Sequence, residues 1–258
     1  MKSFLHIALG WTLLVSTAFA GVRFEAVTRG DDGLVDARVR AVVSGPNIRV
    51  EYLESSTGIA GVGEYMLSHD GGKTLYWVEP STRTYSKYDT DAMMSAMGSM
   101  VQGVRGAMRV RFEAPKIEKL LEEDGGQVAG VPTRHYRYRT TYTASAESLG
   151  MVKTTTNTVE EDIWASSALS DTALEAWLHK EPAKTGDVQF DSIIAAEMGK
   201  VQGFPLKRIT VTRSVSPSDH QEHVTRAEME VLSLTQGPVR ESEFQLPANY
   251  VEVKPRRE

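Results

Sequence analysis

The sequence predicts an α+β fold that is mainly antiparallel β: one large, curved sheet with a few helices against its concave face. Three observations support this prediction. Apolar and polar residues alternate along many short segments, two regions have helical spacing instead, and no Pro/Gly/Ser-rich linker or internal repeat divides the 258 residues. We therefore expect residues 21–258 to form a single domain.

The first twenty residues have the composition of a secretory signal peptide. Lys2 supplies a positive end, residues 7–15 are almost entirely apolar, and Ala18-Phe19-Ala20 places small residues where signal peptidase requires them. A membrane anchor is the alternative, but the apolar stretch is shorter than the roughly 20 residues that span a bilayer. We expect cleavage after Ala20, no transmembrane segment in the mature chain, and no lipid anchor, because the chain has no cysteine. A Gram-negative periplasm is the expected location.

Period-two alternation predicts a meander of antiparallel strands over the first seventy mature residues. The first strand is predicted from Val22, and two more follow around residues 35–41 and 48–52. Asp70-Gly71-Gly72 lies between two apolar segments, and its glycines can adopt the positive φ of a tight hairpin turn. Strands connected in this way pair with their chain neighbours at a low loop-closure cost.

The pattern changes to helical spacing at Asp89. Apolar residues at steps of three and four form one helix face, which comprises Met93, Met94, Met97, Met100, Val101, Val104 and Met108. Methionine is flexible and polarizable, so this face either fills the core or contacts an irregular apolar ligand. Gly98, Gly103 and Gly106 each lower helix stability by up to about 1 kcal/mol. These glycines favour a mobile lid over a rigid core element.

Strands resume after this helix. The patterns predict strands at 108–114, 133–145 and 152–164, helices at 170–178 and 190–199, and final strands near 206–215, 223–234 and 241–251. The strands among these elements complete the predicted sheet.

The strand at 133–145 has two chemically different faces. Tyr136, Tyr138 and Tyr142 share one face, and we expect them to line an apolar cavity, because a tyrosine combines an apolar ring with a hydroxyl that can bond a head group. The other face carries basic residues, namely His135, Arg137 and Arg139. That face either binds a phosphate or carboxylate or simply contacts solvent.

Composition and motifs argue against several functional classes. A formal net charge of −5, with acidic and basic residues mixed, does not favour a nucleic-acid partner. His220 and His223 would point to opposite faces of a strand, and no cysteine or third clustered histidine completes a metal site. The chain lacks the standard hydrolase, phosphate-binding, dinucleotide-binding and zinc-protease motifs, and the acidic run at 160–162 is expected to be solvated. We expect no catalytic residues, metal or cofactor, and therefore no enzyme.

The second half of the chain carries short motifs in a recognisable order. Glu161-Asp162-Ile163-Trp164 ends a strand, Gly203-Phe204-Pro205-Leu206 opens another, and Phe244-x-Leu246-Pro247-x-x-Tyr250 lies near the end. This order resembles the LolA/LppX-like superfamily, and more closely an uncharacterised domain-of-unknown-function branch of periplasmic proteins, over nearly all of residues 21–258. The resemblance implies an unclosed (half) β-barrel wrapped around a few helices, with an apolar cavity for lipid chains or lipoprotein acyl groups. The implied activity is carriage.

Two functions are therefore compatible with the sequence. The first is a periplasmic binding or carrier protein for an apolar ligand, such as lipid or acyl chains, held between the concave sheet and the methionine-rich helix. The second is an envelope protein-recognition, sensor or chaperone-like module without a small-molecule ligand. In the second case the same groove accepts hydrophobic segments of envelope proteins, and the sheet edges accept added strands.

Overall fold

A computed structural model describes residues 19–30, 36–56, 58, 60–96, 99, 111–113, 115–148, 151–167, 191–192, 195–196, 200–216 and 221–255. These residues form one large sheet of thirteen strands. The strands are β1 (Phe19–Gly30), β2 (Ala37–Ser44), β3 (Asn47–Ser55), β4 (Tyr65–Ser68), β5 (Thr74–Glu79), β6 (Thr84–Asp89), β7 (Arg111–Phe112), β8 (Lys116–Val128), β9 (Val131–Ser148), β10 (Met151–Ser166), β11 (Phe204–Ser216), β12 (Gln221–Val239) and β13 (Val251–Val253).

The strands lie in the order β13-β6-β5-β4-β3-β2-β1-β12-β11-β10-β9-β7, and β8 also pairs with β9. Within the described residues only β13 and β6 pair in parallel; the other pairs are antiparallel. The predicted mainly antiparallel class is confirmed, as is the meander of β1 to β6. The two ends of the sheet, as far as the structure describes the chain, do not pair with each other, so this sheet is unclosed.

One face of the sheet, which we term the core face, carries the main hydrophobic core. Alternate residues of β1, β2, β3, β11 and β12 meet there, and the cluster comprises Val22, Phe24, Ala26, Ala41, Val43, Ile48, Val50, Phe204, Leu206 and Val231. Full burial of each Val, Leu, Ile or Phe side chain stabilises the fold by about 1.5–3 kcal/mol. Since each of these strands alternates, the core face is fixed by the same pattern that predicted the strands.

The opposite face is covered by the C-terminal segment. A 3-10 helix at Glu241–Phe244 places Phe244 against Val42 and Val239, and Leu246 and Tyr250 pack on a second cluster around Leu67. The chain then joins the sheet edge as β13. The prediction of a strand at 241–251 is therefore wrong. This segment crosses the face of the sheet, and its strand begins only at Val251.

Two further elements differ from the sequence expectations. β8 was not predicted, because its charged sequence has no period-two alternation of apolar residues. The strands predicted at 133–145 and 152–164 extend to Ser148 and from Met151, where they pair directly. Only two residues therefore separate the paired ends of β9 and β10.

Part of the predicted helical structure can be placed. Residues 90–96 and 99 are helical, and the Asp89 carboxylate caps the helix by accepting a hydrogen bond from the Ala92 N–H at 2.9 Å. Residues 191–192 and 195–196 are also helical, whereas the helix predicted at 170–178 lies outside the described residues. So do residues 1–18 of the predicted signal peptide, and the last two residues of that prediction, Phe19 and Ala20, belong to β1. No helix in the described ranges is long and apolar enough to cross a membrane.

Candidate functional site

An apolar pocket of about 190 Å³ lies on the core face, where the methionine-rich helix begins. Its lining comes from β3, β4, the β4–β5 turn, β5 and the first helical residue, and comprises Ile48, Met66, Leu67, Ser68, Gly71, Gly72, Leu75 and Thr90. Apolar side chains with a few fixed polar groups are the usual lining of a ligand site. We refer to this site as the apolar pocket.

The rim of the apolar pocket is held by hydrogen bonds of the β4–β5 turn. The hydroxyl of Thr90 donates to the Gly72 carbonyl at 2.6 Å, and the Gly72 N–H donates to the Ser68 hydroxyl at 2.8 Å. Gly71 and Gly72 have φ of 73° and 89°, so the predicted tight turn is confirmed. Burial raises the pKa of Asp70, but hydrogen bonds from Thr74 and Ser68 outweigh it and hold that pKa below its usual range. The turn therefore fixes the start of the helix against the pocket.

Two aromatic residues extend the apolar surface beside this pocket. Trp77 pairs with Met66 in the sheet, and its ring lies 5.6 Å from that of Tyr52. The indole N–H donates to the Glu64 carboxylate at 2.8 Å, which fixes the ring. Burial raises the pKa of Tyr52, so its hydroxyl stays neutral at physiological pH. The pair forms a half-buried, uncharged shelf next to the apolar pocket.

The structure places four of the eight site residues predicted from sequence. Met93 is 49% exposed and Met94 is partly buried, on the helix that begins at the pocket rim with Thr90. Tyr136 and Tyr138 are buried on β9, which lies in the other half of the sheet. Met97, Met100, Val101 and Val104 lie outside the described residues. Neither methionine is among the residues that line the apolar pocket, and the tyrosine pair lies at a different site.

The tyrosines line a second opening, which we term the polar cleft. It has a volume of about 450 Å³ and is lined by Ile117, Lys119, Glu122, Tyr136, Tyr138, Ala196, Lys200 and Gln202. The two tyrosine rings stack at a centroid distance of 6.4 Å and pack with Ile163 and Ala165. The expected sharing of one face by the two tyrosines is confirmed, but charged side chains make up much of the lining around them.

A buried ion pair forms the floor of the polar cleft. Lys200 Nζ lies 2.7 Å from Glu161 Oε2 and 2.8 Å from the Thr140 hydroxyl, and the side chains of Lys200 and Glu161 are 2% and 6% exposed. The Tyr138 hydroxyl donates to the Lys200 carbonyl. The expectation that the acidic run at 160–162 is solvated is wrong for Glu161, because its place on the core face puts it against Lys200.

The basic face of β9 is neutralised by its neighbours. Asp162 accepts hydrogen bonds from His135 at 2.7 Å and Arg137 at 2.8 Å, and Glu160 accepts from Arg139 at 2.7 Å. The His135 ring is stacked on Trp164, with centroids 4.3 Å apart. These pairings favour the interpretation of this face as structural over a phosphate or carboxylate site.

Sequence reasoning missed Lys200 as a site residue. Its partner Glu161 lies 39 positions away. The sequence offered one indication: Glu161 and Ile163 are two residues apart on a strand, so their side chains point to the same face of the sheet. Within the described ranges no three His, Cys, Asp or Glu side chains are grouped so that they could hold a metal ion.

The sequence matches no protein-family model and no curated protein sequence. Among solved structures, the chain is similar to PNGF-II, with a TM-score of 0.36 and 9% sequence identity. The match covers 92% of this chain and 31% of the PNGF-II chain, so this protein spans less than a third of that chain's length.

Proposed function

We propose that this protein is a LolA-like periplasmic carrier that binds an apolar ligand, such as lipid or acyl chains, on the core face of its unclosed sheet. The apolar pocket supports this proposal most directly, because Met66 and Leu75 are only partly buried there. The methionine-rich helix begins at its rim with Thr90. Flexible methionine side chains can adapt to the irregular shape of an acyl chain.

The size of the apolar pocket defines how a ligand would bind. Its volume of about 190 Å³ is below the 300–1,000 Å³ of typical pockets for drug-sized ligands. One segment of an acyl chain would enter the pocket, and the remainder would lie along the shelf of Tyr52 and Trp77 and under the methionine face. In this proposal Met93, Met94, Met97, Met100, Val101 and Val104 cover the chain.

A charge placed in the pocket tests the proposal. Leu75→Glu puts a carboxylate where the ligand must exclude water, and we expect it to weaken uptake of a fluorescent fatty-acyl probe at least tenfold, or about 1.4 kcal/mol. Leu232→Glu is the matched control, because Leu232 is 45% exposed and lies outside the pocket. Equal loss in both variants, or no uptake by the wild-type protein, would contradict the carrier proposal. Circular dichroism of each variant checks that the fold is kept.

Protein recognition is the second candidate, and the exposed edge strand β13 favours it. Val251 and Val253 are 65% and 40% exposed, and within the described residues β13 pairs only with β6. An extended segment of another protein could add to this edge. Native mass spectrometry distinguishes the two functions: co-purifying lipid supports the carrier, whereas an empty protein that enriches envelope polypeptides supports recognition.

We also propose export with cleavage after Ala20. Gly21 would become the first residue, and a Cβ atom there would lie only 2.5 Å from Val239 Cγ2 and 2.7 Å from the Val43 carbonyl oxygen. The sheet therefore leaves no space for a side chain at Gly21, the residue after the proposed cleavage site. N-terminal sequencing of the periplasmic protein should begin at Gly21, and intact Met1 in the membrane fraction would contradict both cleavage and release.

A further inference from the structure

Three charged side chains meet beside the polar cleft: Lys119 and Glu122 line it, and Arg134 bonds Glu122. Lys119 Nζ lies 2.7 Å from Glu122 Oε2, and Arg134 Nη2 lies 3.1 Å from Glu122 Oε1. The hydrogen bond from Lys119, with a second from Arg134, lowers the pKa of the Glu122 carboxyl below its ordinary value. All three groups are therefore charged at neutral pH, and the trio has a formal charge of +1.

These groups have hydrogen-bonding capacity beyond the bonds between them. A lysine ammonium has three N–H donors and a guanidinium has five, whereas Glu122 accepts one bond from each side chain. The side chains of Lys119, Glu122 and Arg134 are 50%, 36% and 54% exposed. Ion pairs with this exposure contribute only about 0–1 kcal/mol. A ligand can therefore exchange partners with the trio at little cost.

The rest of the cleft supplies a firm, neutral floor. Lys200 and Glu161 neutralise each other, and Tyr138 of β9 lies between Lys119 of β8 and Glu161 of β10 in the sheet. An anion alone would face the carboxylate of Glu122, and a cation alone would face Lys119 and Arg134. A ligand that carries both charges complements all three groups.

We propose that the polar cleft binds a phosphodiester that bears a primary ammonium group. Lys119 and Arg134 would hold the phosphate through charge-assisted hydrogen bonds, and Glu122 would accept from the ammonium. This chemistry occurs in the head group of an amino-phospholipid and in a free, water-soluble ester. The first source rests on the proposed carrier function, because the acyl chains would then occupy the apolar surface of the same face; the second does not.

Calorimetric titration of the mature protein with three soluble probes tests the site. We expect glycerophosphoethanolamine to bind at least tenfold more tightly than glycerol 3-phosphate or ethanolamine. Glu122→Gln should remove this preference without changing the melting temperature, whereas Glu118→Gln should retain it. Glu118 is the matched control, because it pairs with Lys116 at 2.6 Å on the same strand and does not line the cleft. If Glu122→Gln does not fold, Lys119→Gln should weaken glycerophosphoethanolamine and glycerol phosphate by the same factor.

No binding of glycerophosphoethanolamine, or equal binding of glycerol phosphate, overturns the proposal. Vesicles distinguish the two sources of the ligand. Preferred uptake of fluorescent phosphatidylethanolamine over phosphatidylglycerol, lost in Glu122→Gln, supports a lipid head group. Binding of the soluble ester without uptake of any acyl probe supports the cleft and rejects the carrier function, so the two proposals can fail separately.

Discussion

Lys200 illustrates how one buried charge fixes the polar cleft. Its ammonium bonds Glu161 and Thr140, and its carbonyl accepts from Tyr138. The residue thus ties the segment before β11 to β9 and β10 by both its backbone and its side chain. An isolated buried charge is strongly unfavourable, so each member of the pair depends on the other.

Removing one member of this pair should destabilise the fold strongly. We expect Lys200→Ala to lower the free energy of unfolding by about 3–5 kcal/mol, because the Glu161 carboxylate would stay buried without its main partner. The double variant Lys200→Met with Glu161→Leu should lose much less, since no charge is then left buried. Urea unfolding of the single and double variants measures the difference. Equal losses would show that the effect arises from packing.

Gly203 has a backbone conformation and a contact that both require glycine. Its φ is 92°, and a Cβ atom would lie 2.4 Å from the Ser166 carbonyl oxygen. Gly130 is the matched control, because its φ is 77° but a Cβ atom there meets nothing within 4 Å. We expect Gly130→Ala to cost about 1–2 kcal/mol from backbone strain alone. Gly203→Ala should cost clearly more, and equal melting temperatures for the two variants would contradict the contact.

At the scale of elements, the C-terminal segment is held to the sheet by the pair of Arg23 and Glu243. Two hydrogen bonds join the guanidinium and the carboxylate, at 2.8 and 2.9 Å. Burial raises the pKa of Glu243, but hydrogen bonds from Arg23 and the Arg240 N–H outweigh it, so this pKa lies below its ordinary value of 4.5. The pair therefore stabilises the folded state above that ordinary value and loses its effect as the pH falls through the lower pKa of the folded state.

Acid unfolding should depend on this carboxylate. Glu243→Gln should lower the melting temperature at pH 7 and make the loss of stability below about pH 4.5 shallower, because one depressed carboxyl no longer takes up a proton. Glu241→Gln, on the same 3-10 helix, should leave the slope of melting temperature against pH in this acidic range unchanged. Melting temperatures between pH 3 and pH 7 provide the comparison, and parallel curves for Glu243→Gln and the wild type would contradict the prediction.

A row of side chains across four strands holds β8 in place. Glu123 of β8 contacts His135 of β9 at 3.2 Å, His135 stacks on Trp164 of β10, and Lys207 of β11 lies 5.7 Å from the Trp164 ring centroid. β8 has β9 as its one partner strand among the described residues. The row therefore provides β8 with a side-chain anchor in addition to its backbone hydrogen bonds.

Removal of the imidazole should loosen β8 before the rest of the sheet. We expect His135→Ala to increase amide hydrogen exchange in 116–128 and to shift the emission of Trp164, which loses its stacked neighbour. His69→Ala is the control, because His69 also lies beside an aromatic ring, that of Tyr76 at 5.9 Å, but in the turn between the distant strands β4 and β5. Faster exchange throughout the sheet in His135→Ala would indicate global destabilisation instead.

At the scale of the whole molecule, local pairing decides which features could be predicted from sequence. The β1–β6 meander was predicted because each strand pairs with its chain neighbour. The pairing of β1 with β12 joins residues about two hundred positions apart, as Val22 with Gln236. The alternation of apolar and polar residues does not indicate such a distant partner. The tyrosine face of β9 follows from period two, whereas the contact of Lys200 with Glu161 depends on how the β10–β11 connection returns to the sheet.

The continuity of the sheet leads to a prediction about unfolding. Trp77 lies on β5 and Trp164 on β10, on either side of the β1–β12 pairing. If residues 21–258 form a single domain, both halves should unfold together. Two variants of the mature protein test this: each carries Trp177→Phe, together with either Trp77→Phe or Trp164→Phe, so that one reporter remains. The two emission curves in urea should have the same midpoint as far-ultraviolet circular dichroism. Separate midpoints, with dichroism falling in two steps, would show two domains that meet at β1 and β12.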